Sequence, residues 1–455
     1  MTRIKPLMLA LLLAAPLPVL ANPEIEKLRG EFEQKLKALQ DSYETRLKEM
    51  EGRMSKTESQ AQAAQTSADA AARAPATASS FNPEVSLILQ GQYAHLEDRD
   101  HRHISGFLES GGGHGHGAMP RGFSINHTEL VMSASIDPYF RGYAAFALED
   151  DAVAVEEAWF QTTALGHGLG VKGGRFRSDI GYLNTQHPHA WDFVDNPLIY
   201  KGLFGEALTL DGVQAKWVAP TDLFLEFGAE AARGLAEYND NGIGAYTIFS
   251  HLGGDVGASH SWRAGLSAGR LSTHNRENDI GQRSGGHAET AFSGRTRFAG
   301  ADFVWKWAPN GNPKERNFKF QSEYYKRWEK GALQCFDPND TAVDSCDSDP
   351  TGALDTAQSG WYAQGIYQFM PRWRAGARYD RISLGSIDYG DLNASLRRPR
   401  GFTPERTSLM LDYSPSEFSR LRLQVSRDES SLKGPENQYF LQYIHSLGSH
   451  GAHKF

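Results

Sequence analysis

The sequence contains only two cysteines, Cys335 and Cys346, and it has no long apolar run beyond its first 21 residues. Two sulfurs are too few for a zinc–thiolate centre, so in an exported chain they indicate a local disulfide that closes one loop. A transmembrane helix needs about 18 consecutive apolar residues. The lack of such a run excludes a helical membrane protein.

Basic residues are also in deficit, with 47 Lys and Arg against 55 Asp and Glu and a net charge of -8. An acidic chain is a poor partner for nucleic acids and draws in cations rather than anions. The His-Glu-x-x-His metalloprotease motif and the phosphate-binding loop are absent as well. We therefore predict no enzyme, no nucleic acid partner and no required cofactor.

The N-terminal 21 residues predict a secretory signal peptide. Arg3 and Lys5 precede an apolar run that is interrupted by prolines, and residues 19–21 form a small-residue cleavage site. An uncleaved anchor is the alternative. The mature chain would then start at Asn22.

Residues 22–58 predict a helical coiled coil, because apolar positions such as Ile25, Leu36 and Leu47 recur at an interval of eleven residues. We expect this helix to self-associate in the periplasm, and its packing on the rest of the chain is the alternative. Residues 59–80 are rich in Ala, Ser and Thr and predict a linker.

From residue 81 to 455 apolar and polar residues alternate with a period of two, which is typical of β-strands. Short turns alternate with long loops, and Phe, Tyr, Trp and Gly are abundant. This pattern predicts an all-β transmembrane antiparallel β-barrel, porin-like, with about sixteen strands and a water-filled lumen. The predicted strands are 84–95, 122–136, 140–150, 153–163, 168–177, 206–218, 222–232, 245–256, 261–273, 294–308, 315–328, 358–370, 373–382, 404–413, 419–428 and 437–455.

Histidine is unusually frequent, with 16 in the chain. The first long loop, 96–121, carries several of them on a glycine-rich, acidic segment, and imidazole with carboxylate suits Zn²⁺. We predict that this loop captures metal outside the cell, and incidental histidines in a polar loop are the alternative. The candidate ligands of this loop are His101, His103, His114 and His116.

The long loop after the fifth strand holds His187, His189, Asp192 and Asp195 among aromatic residues. In sixteen-stranded porins one loop folds into the lumen, so we predict a cation-selective constriction here. Simple packing of the loop is the alternative. Of these residues, His187, His189 and Asp192 are predicted to bind metal, and Asp195 is predicted to line the pore.

Three strand residues, Glu157, Arg175 and Arg177, are further predicted pore-lining groups. The adjacent acids Glu156 and Glu157 alternate faces in a regular strand, so we interpret them as charge at the mouth of the barrel.

A resemblance is carried by 133–148, 155–160, 173–176, 181–184, 186–192 and the ending 446–455. These stretches resemble proteobacterial zinc-regulated outer-membrane proteins, some of which are labelled TonB-dependent receptors. The arrangement is more distantly similar to phosphate-selective porins, with a leading coiled coil before a sixteen-stranded trimeric barrel. The resemblance implies metal-linked expression and passage of zinc.

We therefore expect an outer-membrane porin for passive diffusion of divalent metal ions, with Zn²⁺ as the transported or transiently bound ion. Its expected partners are two further copies in a homotrimer, formed through the barrel and the coiled coil, and outer-membrane lipid and lipopolysaccharide. The coiled coil could also contact the cell wall. A general, anion or oligosaccharide porin is one alternative, and an envelope-tethering barrel is another.

Overall fold

The computed structural model describes residues 83–99, 104–107, 120–125, 127–148, 153–236, 242–281, 287–336, 350–399 and 401–448, and seven single residues between Lys27 and Asp41. Contacts divide the chain into two units, 1–80 and 81–455. In the first unit the seven described residues are helical and exposed. The signal peptide and the linker lie outside the described residues, and the coiled coil stays a prediction.

The second unit is one antiparallel sheet of sixteen strands that closes on itself. The first strand pairs with the last, from Ser86 opposite Gly448 to His95 opposite Tyr439. The strands are β1 Glu84–His95, β2 in two segments Gly122–Ile125 and Thr128–Ser135, β3 Phe140–Leu148, β4 Val153–Thr162, β5 Leu169–Arg177, β6 Thr209–Val218, β7 Phe224–Ala232, β8 Ala245–Val256, β9 His260–Gly281, β10 His287–Trp307, β11 Asn317–Phe336, β12 Thr351–Met370, β13 Trp373–Asp388, β14 Glu405–Ser416, β15 Ser419–Asp428 and β16 Glu436–Gly448.

The sheet closes with sixteen strands, which confirms the predicted number of strands. A two-residue segment, Leu235–Ala236, pairs in parallel with β9 and is not a barrel strand. Within the described residues, no helix is both long and apolar enough to cross a bilayer.

Side chains alternate between an apolar outer face and a polar inner face, as the sequence predicts. Along β15 the outward residues Leu421, Leu423 and Val425 are exposed, while the intervening Arg422 and Gln424 are buried. An apolar band that faces outward with polar groups facing inward is the arrangement of an outer-membrane barrel. The fold is therefore a porin-like barrel of the outer membrane.

Five strands, β9 to β13, are longer than the sequence predicts, with 22, 21, 20, 20 and 16 residues. A tilted strand needs only about 9–11 residues to cross the membrane. The expected loops at 274–293, 329–357 and 383–403 are wrong in part, because these strands continue past the membrane. A buried Arg276–Glu329 ion pair and an apolar cluster around Phe292, Leu333 and Tyr389 stabilise this extension. Because no lipid surrounds it, the outward-facing residues there need not be apolar.

The connection between β5 and β6, residues 178–208, folds into the barrel, and we call it the inserted loop. It contains a 3-10 turn at Pro188–Ala190 and a short helix, α1, at Leu198–Phe204. Gly205 ends α1 with a positive φ of 61°, as is common at helix C-termini.

The helix α1 packs its aromatic side chains against the barrel wall. Phe204 meets Tyr325 of β11 edge to face at 5.0 Å and Phe298 of β10 at 5.3 Å. The loop therefore brings an apolar core into this side of the predicted water-filled lumen.

Candidate metal centre

Four side chains from three parts of the chain place their ligand atoms within 4.8 Å of one another: His127, Glu129, Glu156 and His187. We call this set the His/Glu cluster. His127 and Glu129 come from β2, Glu156 from β4 and His187 from the inserted loop. All four are buried or half-buried, and they lie close to the turn between the two segments of β2.

Local backbone irregularities point these residues at one spot. His127 separates the two β2 segments with a positive φ of 58°, a conformation that residues other than glycine adopt rarely. On β4, Val155 pairs with Phe146 and Glu157 pairs with Ala145, so that Glu156 is the extra residue of a β-bulge. The bulge turns both adjacent acids inward, and the prediction that they alternate between faces is wrong.

The distances from His127 to the two glutamates fit a tetrahedral ion, whereas those from His187 are shorter and of hydrogen-bond length. Nε2 of His127 lies 3.6 Å from Glu129 and 3.4 Å from Glu156. Nδ1 of His187 lies 2.9 Å from Glu129 and 2.8 Å from Glu156. Donors held about 2.1 Å from Zn²⁺ in a tetrahedron are separated by about 3.4 Å. A small movement of these side chains would bring the four ligand atoms to the separation that such a site requires.

Two further residues orient the ligands. Glu157 receives a hydrogen bond from Nε2 of His187 at 2.8 Å and another from the Trp159 indole at 2.9 Å. This leaves Nδ1 of His187 directed at the cluster, and a carboxylate behind a histidine is the usual support of a metal ligand. His189 contacts Glu129 through Nδ1 at 3.0 Å and supports it in the same way.

The two glutamates of the cluster and the neighbouring Glu157 give an excess of negative charge, and Arg177 neutralises Glu156 at 3.2 Å. Burial lowers the pKa of His187, and so does Arg177, but the carboxylates of Glu129 and Glu156 outweigh both and raise this pKa well above its usual range. The carboxylates therefore attract positive charge strongly, whether it is a proton or a metal ion.

A cavity of about 1110 Å³ lies below the inserted loop, at the end of the barrel that carries the short turns. His187, His189 and Glu157 form part of its roof, and residues near the short turns, such as Thr163 and Val218, form its rim. The cluster is thus reached from this end of the lumen.

The two aspartates of the inserted loop lie apart from the histidines and contact basic residues of the opposite wall. Asp192 pairs with Lys319 and with Arg374, the latter at 3.2 Å. Asp195 pairs with Arg378 at 2.9 Å and with Arg406. The sequence grouped these aspartates with His187 and His189, and the structure separates them because each half of the loop meets the wall of opposite charge.

Burial raises the pKa of both aspartates, but the cations outweigh it and lower each pKa well below the usual range: Lys319 and Arg374 at Asp192, and Arg406 and Arg378 at Asp195. Each carboxylate is held by at least two cations, so it anchors the loop. The predicted roles of Asp192 as a metal ligand and of Asp195 as a pore-lining group do not fit this position.

The other predicted residues have mixed outcomes. Arg177 and Glu157 line the cavity, as expected of pore residues. Arg175 pairs with Asp211 at 2.7 Å and has a half-exposed side chain. Arg175 and Asp211 lie on the outer face of their strands, opposite to the face of the buried Phe176 and Leu210. The pore-lining prediction for Arg175 is therefore wrong.

The histidines of the first long loop, His101, His103, His114 and His116, lie outside the described residues. Cys346 does too. Cys335 is buried at the end of β11, and no cysteine is free in the described part of the chain, but the Cys335–Cys346 disulfide itself stays a prediction.

Sequence reasoning missed His127, Glu129 and Glu156 as ligands. One signal was available, since the paired acids Glu156-Glu157 break the alternation of β4. The bulge that makes them useful depends on pairing with β3, which the sequence does not display.

Two strings in the sequence match motifs of enzymes. Gly265-Leu-Ser-Ala-Gly269 has the spacing of a nucleophile elbow, and Gly168-Leu-Gly-Val-Lys-Gly173 has that of a dinucleotide-binding turn. Both motifs require a strand that turns into a helix, whereas these strings lie in β9 and at the start of β5. Neither therefore has the context that its chemistry requires.

Together the closed barrel, the inserted loop and the polar lumen define a porin-like outer-membrane channel protein. The chain belongs to the same family as a protein of Aquifex aeolicus (strain VF5) described as an "Uncharacterized protein", with 32% identity over 412 residues that cover 84% of this chain and 81% of the relative. No family model matches the chain.

Solved structures of outer-membrane proteins are similar at low identity. The channel DcaP of Acinetobacter baumannii has 13% identity and a TM-score of 0.49, over 80% of this chain and 97% of that one. OmpT of Vibrio cholerae has 13% identity and a TM-score of 0.47, with coverage of 80% and 97%. An anion-selective porin from Comamonas acidovorans has 9% identity and a TM-score of 0.47, with coverage of 80% and 99%. These similarities concern the fold alone.

Proposed function

We propose that this protein is a passive outer-membrane channel for divalent metal ions, with Zn²⁺ as the favoured ion. The His/Glu cluster carries the proposal: two imidazoles and two carboxylates converge within 4.8 Å in a lumen, a donor set that suits Zn²⁺. A site for transit must bind weakly enough to release its ion. The nearby Arg177 opposes a bound cation and so favours release.

In this mechanism an ion enters through the lumen, exchanges its water for the four ligands and leaves through the cavity below the inserted loop. Capture by the histidines of the first long loop, and assembly as a trimer, are further parts of the proposal that come from the sequence alone. The zinc-regulated family likewise remains a resemblance. A TonB-dependent receptor is disfavoured because such transporters have 22 strands.

The rival with a structural argument is an anion channel, because Arg374, Arg378, Arg406 and Arg422 face the lumen. Asp192 and Asp195 contact the first three of these guanidiniums, and the carbonyl of Trp191 accepts from Arg422 at 2.8 Å. Their charge is largely engaged in holding the loop. This is why we favour cations.

The test measures Zn²⁺ entry into liposomes that contain the full-length protein, compared with entry of a neutral sugar. Glu129→Gln should reduce Zn²⁺ entry about tenfold at micromolar zinc and leave sugar entry unchanged. Glu84→Gln, which removes an equal charge at the cavity rim, is the matched control. Unchanged Zn²⁺ entry in Glu129→Gln, together with block of conductance by phosphate, would favour the anion channel.

A further inference from the structure

A second pair of buried side chains lies beside the same cavity, and one of the two, His251 of β8, lines it. The ring is 3% exposed, and its Nδ1 lies 3.0 Å from Oε1 of Glu226. Because a carboxylate accepts, Nδ1 carries the proton and Nε2 keeps its lone pair. Nε2 has no hydrogen-bond partner in the described part of the chain.

The second member is Asp302 of β10, whose side chain has no solvent exposure. Neither of its oxygens has a hydrogen bond from the residues that the structure describes. Arg263 is 3.8 Å away and donates its nearer nitrogen to the carbonyl of Gly181 at 2.6 Å. Asp302 is therefore a buried carboxylate with unused lone pairs.

Its neighbour Glu323 does not offer the same capacity. Glu323 lies directly opposite Asp302 in the β10–β11 ladder. It already accepts from the backbone N–H groups of Tyr182 and Leu183 and from the hydroxyls of Tyr200 and Tyr362. Its role is to hold the inserted loop, which leaves Asp302 as the available acid.

Gly265 of β9 sits between the two groups in register, opposite His251 on one side and Asp302 on the other. A Cβ at Gly265 would lie 1.9 Å from Oδ2 of Asp302 and 2.9 Å from Cδ2 of His251. The carboxylate and the ring thus bracket one small space, which we call the Gly265 notch, and only glycine leaves it open.

We propose that His251 and Asp302 form a second cation site, which binds a divalent metal such as Zn²⁺ in the Gly265 notch with water as its other ligands. A buried carboxylate and a buried imidazole nitrogen without partners each carry an uncompensated desolvation cost, and one cation would satisfy both. A histidine whose other nitrogen is held by a carboxylate is the usual form of a metal ligand.

With only two protein ligands, this site should bind more weakly than the His/Glu cluster. Its role as a second station in transit rests on the proposed function, because conduction requires several weak sites in succession. Binding itself does not depend on that role and is measured separately.

The experiment counts ions bound to the folded full-length protein in detergent, by calorimetry with Zn²⁺ and by the visible absorbance of Co²⁺. Asp302→Asn and His251→Gln should each remove one bound ion or weaken it at least tenfold. Glu129→Gln should remove a different ion, and Glu129→Gln with Asp302→Asn should remove both. Asp255→Asn, which removes a charge from the same cavity, should change nothing.

Gly265→Ala is a second route to the same result, because it keeps both ligands and fills the notch. Loss of the same ion in this variant supports the site, and altered heat-modifiability on gels identifies a variant that fails to fold. Retention of the full ion count and affinity in all folded variants would overturn the proposal. It would mean that His251 and Asp302 bind water or a proton instead of a metal ion. Loss of the Asp302-dependent ion with unaltered Zn²⁺ entry in Glu129→Gln would leave this site standing and contradict the proposed function.

Discussion

The inserted loop contacts two walls of the barrel that differ in charge, and the difference separates a binding site from an anchor. Toward β2 and β4, the histidines of the loop contact the carboxylates of Glu129, Glu156 and Glu157. These carboxylates outnumber the permanent cations beside them. Toward β11, β13 and β14 its aspartates meet arginines and a lysine that stay charged. In the proposed function the first contact exchanges a proton for a metal ion, whereas the second is fixed.

The largest expected effect comes from breaking the anchor. Asp195→Ala leaves Arg378 and Arg406 with Asp380 as the buried carboxylate that they share, which should destabilise the loop by about 3 kcal/mol. Urea unfolding monitored by fluorescence, and single-channel recordings with larger and noisier conductance, would report it. Asp211→Ala, which removes an exposed pair, should cost at most about 1 kcal/mol. Equal effects of the two variants would contradict the assignment of Asp195 as an anchor.

A second test removes the contact on the acidic wall. His187→Ala takes away both a metal ligand and the link between loop and wall, so Zn²⁺ affinity should fall about 100-fold or more, a loss of ~2.7 kcal/mol. Calorimetry on the folded protein measures it. His167→Asn, at a turn with a positive φ of 52° that asparagine tolerates, should bind Zn²⁺ as the parent does. Unchanged affinity in His187→Ala would remove His187 from the site.

Charge beside the cluster gives a third, smaller effect. Arg177 repels a bound cation and occupies an oxygen of Glu156, so Arg177→Gln should raise Zn²⁺ affinity about tenfold, or ~1.4 kcal/mol. Arg175→Gln removes the same charge two residues away on the outer face and should leave the affinity unchanged. If both variants behave alike, general surface charge rather than the local contact controls binding.

The smallest effect is expected from mild acid on the ion pairs of Asp192 and Asp195, which anchor the loop. The pKa of Asp192 and of Asp195 is lowered in the fold, so their stabilisation is present above the ordinary value near 3.8 and is lost only as pH falls through the lower folded value. Fluorescence of Trp191, taken as the difference from Trp191→Phe, should therefore stay constant from pH 7 to 4. A transition centred at pH 5 or 6 would show that the aspartates do not hold the loop.

The sequence predicts the barrel well because membrane and lumen impose a period of two on every strand, and β15 and β16 show it residue by residue. It predicts an inserted loop after the fifth strand by comparison with sixteen-stranded porins, because a long aromatic segment stands at the position of the loop that folds into their lumen. It fails at the strand extensions of β9 to β13. These lie beyond the lipid, and their stability comes from pairs such as Arg276–Glu329 that are distant in sequence.

The candidate site was only half predictable. His187 and His189 stand out as a pair in one loop, but their partners depend on a bulge at Glu156 and on the backbone of His127, both of which arise from strand pairing. Asp192 follows the histidines closely in sequence, yet the loop turns at Pro188–Ala190 and presents it to the other wall. Proximity in sequence therefore grouped residues that the charges of the two walls separate.

The central claim is that the His/Glu cluster holds a divalent ion. Crystals of the full-length protein soaked in Zn²⁺, measured with X-rays on either side of the zinc absorption edge, test it directly. We predict an anomalous peak about 2.0–2.2 Å from ligand atoms of His127, Glu129, Glu156 and His187. Strong zinc peaks elsewhere on the protein with none at this cluster would contradict the account.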